Sequence, residues 1–140
     1  MTSLWFLHDL DHLSYIFSIT LAALVTDHRK MASEEVNVVA IMYPKSGKHD
    51  ELSRHISELT RQVHATEPDT LVYYAFSIKD GNEIMVVERY RDQDALHMHL
   101  LSPHFQEFGS KAAGLMERPY DVKVGHGILP SSVGVTRVQS

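Results

Sequence analysis

Two segments rich in β-branched and aromatic residues flank the dipeptide Asp80-Gly81, and this arrangement constrains the fold more than any other feature of the sequence. The segments cover residues 70–79 and 83–90, and their composition is typical of β-strands. Asp-Gly is typical of the two-residue type I′ turn, in which both central residues adopt a positive φ. The sequence therefore predicts a tight antiparallel hairpin.

A two-residue loop also determines which residues of the two strands lie opposite each other. The predicted partners are Lys79 with Asn82, Ala75 with Val86, Tyr73 with Glu88 and Leu71 with Tyr90. Side chains alternate between the faces of a strand. One face of the hairpin therefore carries Tyr73, Ala75, Val86, Glu88 and Tyr90.

The other face is uniformly apolar and carries Val72, Tyr74, Phe76, Met85 and Val87. We expect this apolar face to pack on helices. The first face is apolar except for a polar cluster at one end, and a lone domain would leave it uncovered. We therefore expect a second copy of the chain to cover the face with Val86, Glu88 and Tyr90, which predicts a two-fold homodimer.

The remaining elements follow from hydrophobic periodicity and capping residues. The pattern predicts an apolar strand at residues 36–43 and a last strand at residues 120–129. Between the first strand and the hairpin, apolar residues recur at steps of three and four, which predicts one buried face of a helix. These residues are Leu52, Ile56, Leu59 and Val63. Asp92 and Ser102-Pro103 are typical starts of two further helices. The second of these helices carries an apolar stripe of Phe105, Phe108, Ala112 and Leu115.

The element order is βαββ, then one or two helices, then a final strand. This order predicts an α+β, ferredoxin-like fold, βαββ(α)αβ, with an antiparallel sheet and helices on one face. We expect this domain to cover residues 34–130, with a tail at 131–140. Residues 1–33 read as an appendage or as an amphipathic arm, and Met31 is an alternative start.

Within residues 1–30, Leu10, Leu13 and Phe17 recur at helical spacing. The apolar run at 15–25 is too short for a bilayer, which takes about 20 residues, so we expect no stable membrane insertion. The net charge of −5 argues against nucleic-acid binding. The chain has no cysteine, which excludes disulfides and thiolate chemistry and fits a cytoplasmic protein.

The sequence holds ten histidines, which raises the question of metal binding. His97 and His99 are two residues apart, so on a helix their side chains point roughly 200° apart. A helix break separates His99 from His104, and no carboxylate lies at ligand spacing in the sequence. We therefore expect no metal site and no cofactor.

Tyr73, Glu88 and Tyr90 form the candidate site that follows from the hairpin count. Two phenols and a carboxylate among apolar residues are suited to orienting a phenol or a quinol. The alternative is a buried polar network that braces a dimer.

Three segments resemble, in the same order, the motifs of the antibiotic biosynthesis monooxygenase (ABM) domain family. They are EPDTL at 67–71, VERY at 87–90 and ALHMHLLSPHF at 95–105, where the family reads EPG-L, ERW and ALxAHLxSPHF. The resemblance covers about residues 34–129. It implies a dimeric ferredoxin-like α/β barrel and an oxidation without a cofactor.

The resemblance also assigns residues position by position. His99 matches a recurring helix histidine, and Tyr90 matches a strand position often held by tryptophan. Val86 lies where some polyketide-oxidising members have asparagine. Haem-degrading members use an Asn, Trp and His set, of which Asn37 and His99 are the residues available here.

We therefore expect a monooxygenase that oxidises a phenolic, quinol or anthrone-type aromatic with O₂. His99, Tyr90, Glu88 and Tyr73 are the expected catalytic residues, with His99 as the base. Asn37, Val86, His104 and His126 are the expected substrate-binding residues. An isomerase or dehydratase on the same barrel is the first alternative, and a non-catalytic ligand-binding or stress-associated dimeric barrel is the second.

Overall fold

The computed structural model describes residues 34–127, which contain four strands and three helices in the predicted order. The elements are β1 (Val36–Met42), α1 (His49–Thr66), β2 (Thr70–Ser77), β3 (Ile84–Tyr90), α2 (Gln93–Leu101), α3 (Pro103–Ala113) and β4 (Asp121–His126). The expectations for residues 1–33 and 128–140 lie outside the described residues.

The four strands form one antiparallel sheet in the order β2-β3-β1-β4. This is the ferredoxin-like α+β arrangement that the element order predicted. The chain leaves β1 through α1 and enters β2, and β3 then returns between these two strands. The helix α1 packs on β2 and on α3, and α2 packs on β2 and β3.

The predicted register of the hairpin is confirmed where β2 and β3 are regular. Ala75 lies opposite Val86, and Tyr73 lies opposite Glu88. The expected pairing of Leu71 with Tyr90 is wrong, because an irregularity in β2 between Thr70 and Val72 places Thr70 opposite Tyr90. A bulge of this kind inserts one residue into one strand only.

The turn of the hairpin also differs from the prediction. The amide of Ile78 donates to the carbonyl of Glu83, and the amide of Gly81 donates to the carbonyl of Ile78. Four residues therefore form the loop, and Asp80 is the residue with a positive φ, of 61°. A type I′ turn needs positive φ at two successive residues, and Gly81 does not adopt it.

The helices begin where the capping residues predicted. Asp92 accepts a hydrogen bond from the amide of Ala95 at the start of α2. Ser102 does the same for Phe105 at the start of α3, where Pro103 occupies the first turn. The predicted apolar face of α1 is buried through Leu52, Ile56, Leu59 and Val63.

The helices pack on the sheet face opposite to the one we expected. Val86, Glu88 and Tyr90 are buried against the helices, at 1%, 7% and 0% exposure. Tyr74 and Phe76, on the face expected to be core, remain 50% and 44% exposed. The prediction that a second subunit covers the Val86, Glu88 and Tyr90 face is therefore wrong. We call the helix-covered face the inner face and the opposite one the outer face.

The core lies between the inner face and the three helices. It joins the apolar side of α1 to Val86 and Ile84 on β3 and to Phe105 and Phe108 on α3. None of the helices among residues 34–127 is long and apolar enough to cross a membrane.

Candidate active site

Tyr73, Glu88 and Tyr90 meet at the inner face, close to the helices. Tyr73 and Glu88 are cross-strand partners, and the hydroxyl group of Tyr90 donates a hydrogen bond of 2.7 Å to Glu88 Oε2. Glu88 and Tyr90 are both buried. The hydrogen bond satisfies two polar groups that would otherwise be costly to bury.

His99 projects from the last turn of α2 onto this cluster. The centroid of its ring lies 5.5 Å from that of Tyr73 and 5.5 Å from that of Tyr90. Phe105 of α3 packs against the same imidazole, with 4.7 Å between the ring centroids. The residue is only 1% exposed, so the site holds an almost fully buried imidazole between the sheet and α3.

Glu67, the residue that follows α1, accepts a hydrogen bond from this imidazole. Nδ1 of His99 lies 3.0 Å and 2.9 Å from the two carboxylate oxygens of Glu67. The hydroxyl group of Thr70 donates to Glu67 Oε2 at 2.7 Å, and Nε2 of His104 contacts Oε1. Three side chains from three parts of the chain therefore converge on one carboxylate.

This environment keeps Glu67 ionised. Burial alone raises the pKa of Glu67, but the hydrogen bond and charge of His99, with further hydrogen bonds from Thr70 and His104, lower it to about 2. An ionised carboxylate only accepts hydrogen bonds. Nδ1 of His99 therefore carries the hydrogen, and in the neutral ring the lone pair is on Nε2.

Nε2 of His99 is buried and has no hydrogen-bond partner among the described residues. A buried polar atom without a partner is uncommon and needs an explanation. With Nδ1 held by Glu67 and Nε2 free, the imidazole is oriented like the histidine of a carboxylate–histidine catalytic pair. The free nitrogen is the atom that is able to accept a proton.

The pKa values of Tyr73, Glu88 and Tyr90 are shifted upwards, in the opposite direction to that of Glu67. Burial raises the pKa of Glu88, and this effect outweighs the opposing charge of His99 and the hydrogen bond from Tyr90. Burial and the nearby Glu88 carboxylate also raise the pKa values of Tyr73 and Tyr90 and that of Tyr120 to about 12. The three phenols consequently stay protonated at neutral pH and are able to donate hydrogen bonds.

Two cavities border the site, and His99 lines the outer one. The inner cavity lies between the sheet and the helices and has a volume of about 40 Å³; Tyr73, Glu88 and Tyr120 are among its walls. The outer cavity has a volume of about 670 Å³ and is bordered by Glu67, His99 and His104. The inner cavity holds only a few water-sized molecules.

Not all of the expected substrate-binding residues reach this site. Asn37 is on the outer face, because Val36 and Val38 of the same strand are buried on the inner face. Val86 is on the inner face but is buried in the core. His126 lies opposite Val36 at the end of β4 and borders neither cavity. His104 contacts Glu67.

Sequence reasoning gave no role to Glu67. The residue was visible only as the first letter of the EPDTL motif, and it lies 32 residues before His99. The expectation that no carboxylate lies beside His99 and His104 is wrong for this reason. The break at Ser102-Pro103, which was expected to separate the two histidines, instead lets both reach Glu67.

The family model for antibiotic biosynthesis monooxygenases matches residues 36–111, which is more than half of the chain and includes Glu67, Tyr73, Glu88, Tyr90, His99 and His104. This chain belongs to the antibiotic biosynthesis monooxygenase family. The resemblance of the three sequence motifs is thereby confirmed.

The chain is also similar to a named relative and to solved structures. The Mycobacterium tuberculosis protein named "Putative monooxygenase Rv0793" is 29% identical over 89 residues, which cover 64% of this chain and 87% of that protein. Its solved structure superposes with a TM-score of 0.65 at 26% identity and covers 70% of this chain and 99% of that one. A structure from Caulobacter crescentus, named as a putative antibiotic biosynthesis monooxygenase, has a TM-score of 0.67 at 24% identity, covering 71% and 94% of the two chains.

Proposed function

We propose that this chain is a cofactor-independent monooxygenase that oxidises a phenolic, quinol or anthrone-type aromatic with O₂. The observation that carries the proposal is the buried imidazole of His99, which Glu67 holds at Nδ1 while Nε2 remains without a partner. An oriented histidine with a free nitrogen is a suitable general base near neutral pH.

In the proposed reaction, Nε2 of His99 takes the proton of a substrate hydroxyl group. The Glu67 carboxylate stabilises the imidazolium that results. Tyr73 and Tyr90 carry hydroxyl groups that stay protonated, because their pKa values are raised. Tyr73 orients the substrate and stabilises its phenolate by donating a hydrogen bond, while the single hydrogen of the Tyr90 hydroxyl group is donated to Glu88.

The phenolate supplies the electrons, so the reaction balances without a reductant. One electron passes from the phenolate to O₂, and the two radicals combine at a ring carbon that carries hydrogen. The peroxide takes a proton, then loses water, and the carbon becomes a carbonyl group. One oxygen atom of O₂ enters the product and the other leaves as water.

The size of the inner cavity places a condition on this proposal. Its volume of about 40 Å³ is well below the volume of an aromatic substrate, so the gap between sheet and helices must widen on binding. Leu100 and Val124 border the cavity, and both are partly exposed. Rotation of these side chains would open the inner cavity to a larger molecule.

The same small volume favours a second candidate function, a non-catalytic barrel that binds a small ligand. In that case the Glu67–His99 pair holds α2 against the sheet, and no bound substrate is turned over. An isomerase or dehydratase on this barrel would use His99 without consuming oxygen.

We also propose that the chain is a homodimer that associates through the outer face. Tyr74 and Phe76 are stacked on each other there, with ring centroids 6.3 Å apart, and both are largely exposed. Exposed aromatic patches of this kind are typical of protein interfaces.

We propose a cytoplasmic location for the chain. The absence of cysteine supports it, because disulfides are typical of oxidising compartments.

Labelled oxygen separates these functions. Wild-type protein is incubated with a panel of anthrones and quinols under ¹⁸O₂, with a chelator present. The proposal predicts oxygen uptake and one ¹⁸O atom in the carbonyl product. A product with no label, formed without oxygen uptake, supports the isomerase or dehydratase. Saturable binding of a panel member without any product supports the non-catalytic barrel.

A further inference from the structure

Glu67, His99 and His104 form a three-residue cluster of metal-ligating side chains around the end of the outer cavity. One potential ligand atom from each residue lies within 4.8 Å of the others. The residues come from three places: the end of α1, the last turn of α2 and the first turn of α3. We propose that this cluster binds one divalent transition-metal ion of the Zn²⁺ type.

The chemistry of the three side chains supports the proposal. Two imidazoles and one carboxylate are a ligand set for divalent first-row transition metals, and zinc enzymes use it with a fourth, open position. Ca²⁺ and Mg²⁺ prefer oxygen ligands in larger number. The cluster therefore selects a transition metal over the hard divalent cations.

The distances in the cluster also suit an ion. Ligand atoms that lie about 2.0–2.1 Å from a tetrahedral zinc ion are about 3.3–3.4 Å apart from one another, a few tenths of an ångström more than the hydrogen-bond distances in this cluster. Nδ1 of His99 lies 2.9 Å from Glu67 Oε2, and Nε2 of His104 lies beside Glu67 Oε1. Small rotations of His104 and Glu67 bring all three atoms to a common centre, because His104 and Glu67 are less tightly buried than His99.

The turn between α2 and α3 determines where His99 and His104 lie relative to each other. The hydroxyl group of Ser102 donates to the carbonyl of His99 at 2.7 Å and accepts from the amide of Phe105. This turn directs His104 back towards the residue that His99 contacts. The outer cavity borders all three residues, so an ion bound there keeps open positions that face the cavity.

This inference goes beyond the proposed function, since an ion on Nδ1 of His99 replaces the hydrogen that this atom donates to Glu67. The hydrogen then lies on Nε2, so the ion-bound form and the form that acts as the base are alternative states of His99. Binding is measurable without any substrate or turnover, so the failure of one proposal does not decide the other. The eight histidines outside the cluster also carry imidazole ligands, so the experiment needs variants within the cluster and matched variants outside it.

Isothermal titration calorimetry with ZnCl₂ on the full chain, after dialysis against a chelator, tests the proposal. We expect one tight site per chain. His104→Ala and Glu67→Gln are each expected to weaken it by about 100-fold or more, since loss of even an outer partner of a ligand costs 10- to 100-fold. Both replaced side chains are partly exposed, and circular dichroism checks that the variants fold.

The matched control variants are His64→Ala, an exposed histidine on α1, and Glu107→Gln, an exposed carboxylate on α3. Both are expected to bind Zn²⁺ like the wild type. Titration with CoCl₂, followed by visible absorption, reports the same site by a second signal. The proposal is overturned if the wild type has no tight site, or if a tight site survives in folded His104→Ala protein.

Discussion

Glu67 accepts a hydrogen bond of 2.9 Å from Nδ1 of His99, although 32 residues separate the two in the sequence. The contact connects the end of α1 to the last turn of α2. It determines which nitrogen of His99 carries the hydrogen and leaves Nε2 as the basic atom. The proposed chemistry depends on this single contact more than on any other.

Replacement of Glu67 by glutamine is expected to lower the rate of substrate oxidation by about 10- to 100-fold. An amide keeps a hydrogen-bond acceptor for Nδ1 but loses the charge that stabilises the imidazolium. Steady-state oxygen uptake measures the effect. Glu107→Gln is the control, because it removes an exposed carboxylate that pairs with Lys111 on the same helix. Equal rates for both variants would show that Glu67 does not assist the base.

Glu88 is expected to make the protein less stable as the pH rises. Its pKa is raised in the folded state, so folding favours the protonated carboxyl group. This contribution is fully present below the unfolded pKa, about 4.3, and is lost as the pH rises through the folded pKa.

The Glu88→Gln variant cannot ionise but still accepts the hydrogen bond from Tyr90. Urea unfolding at several pH values is expected to show that the variant gains stability relative to wild type between pH 4 and pH 8. A constant difference between the two proteins over that range would contradict the raised pKa.

Replacement of Tyr90 by phenylalanine is expected to reduce the free energy of unfolding by about 1–3 kcal/mol. The variant keeps the ring that packs on His99 but leaves a buried oxygen of Glu88 without its donor. Ser110→Ala is the control, since it removes an exposed hydroxyl group on α3, and its change is expected to be within about 0.5 kcal/mol. Urea denaturation compares the two, and similar changes would mean that the buried hydrogen bond adds nothing.

A charge at Phe76 is expected to prevent dimerisation. Phe76→Glu places a carboxylate in the aromatic patch of the outer face, where association would have to bury it unpaired. Light scattering at micromolar concentration is expected to give a dimer for the wild type and a monomer for the variant. Ser57→Glu, on the exposed side of α1, is expected to remain a dimer. A monomeric wild type would refute the interface.

The hairpin shows what could be predicted from this sequence. The position of Asp80-Gly81 at the centre of the loop placed Tyr73 opposite Glu88, because loops of two and of four residues around it give the same register. Alternation of side chains then placed Tyr73 and Tyr90 on the same face. The predicted pairing of Leu71 with Tyr90 is wrong, since a bulge adds a residue to one strand without a distinctive local signal. The prediction of a type I′ turn is wrong because Asp-Gly also fits a longer loop, in which Asp80 but not Gly81 adopts a positive φ.

The faces of the sheet could not be assigned by the same reasoning. Both faces of the hairpin are mostly apolar, so alternation separates them but does not say which one the helices cover. The role of Glu67 was hidden for a different reason. Its contact with His99 depends on where α1 ends relative to α2, and neither spacing nor helical periodicity contains that tertiary distance.

The most direct measurement is oxygen uptake by the His99→Gln variant, with a panel of anthrones and quinols and a chelator present. Glutamine is able to donate to Glu67 from the buried position but has no basic nitrogen. The account predicts that wild-type protein consumes oxygen with at least one substrate and that the folded variant is slower by roughly 10²-fold or more. Absence of uptake by the wild type with every substrate, or full activity in folded His99→Gln protein, would contradict the assignment of His99 as the base.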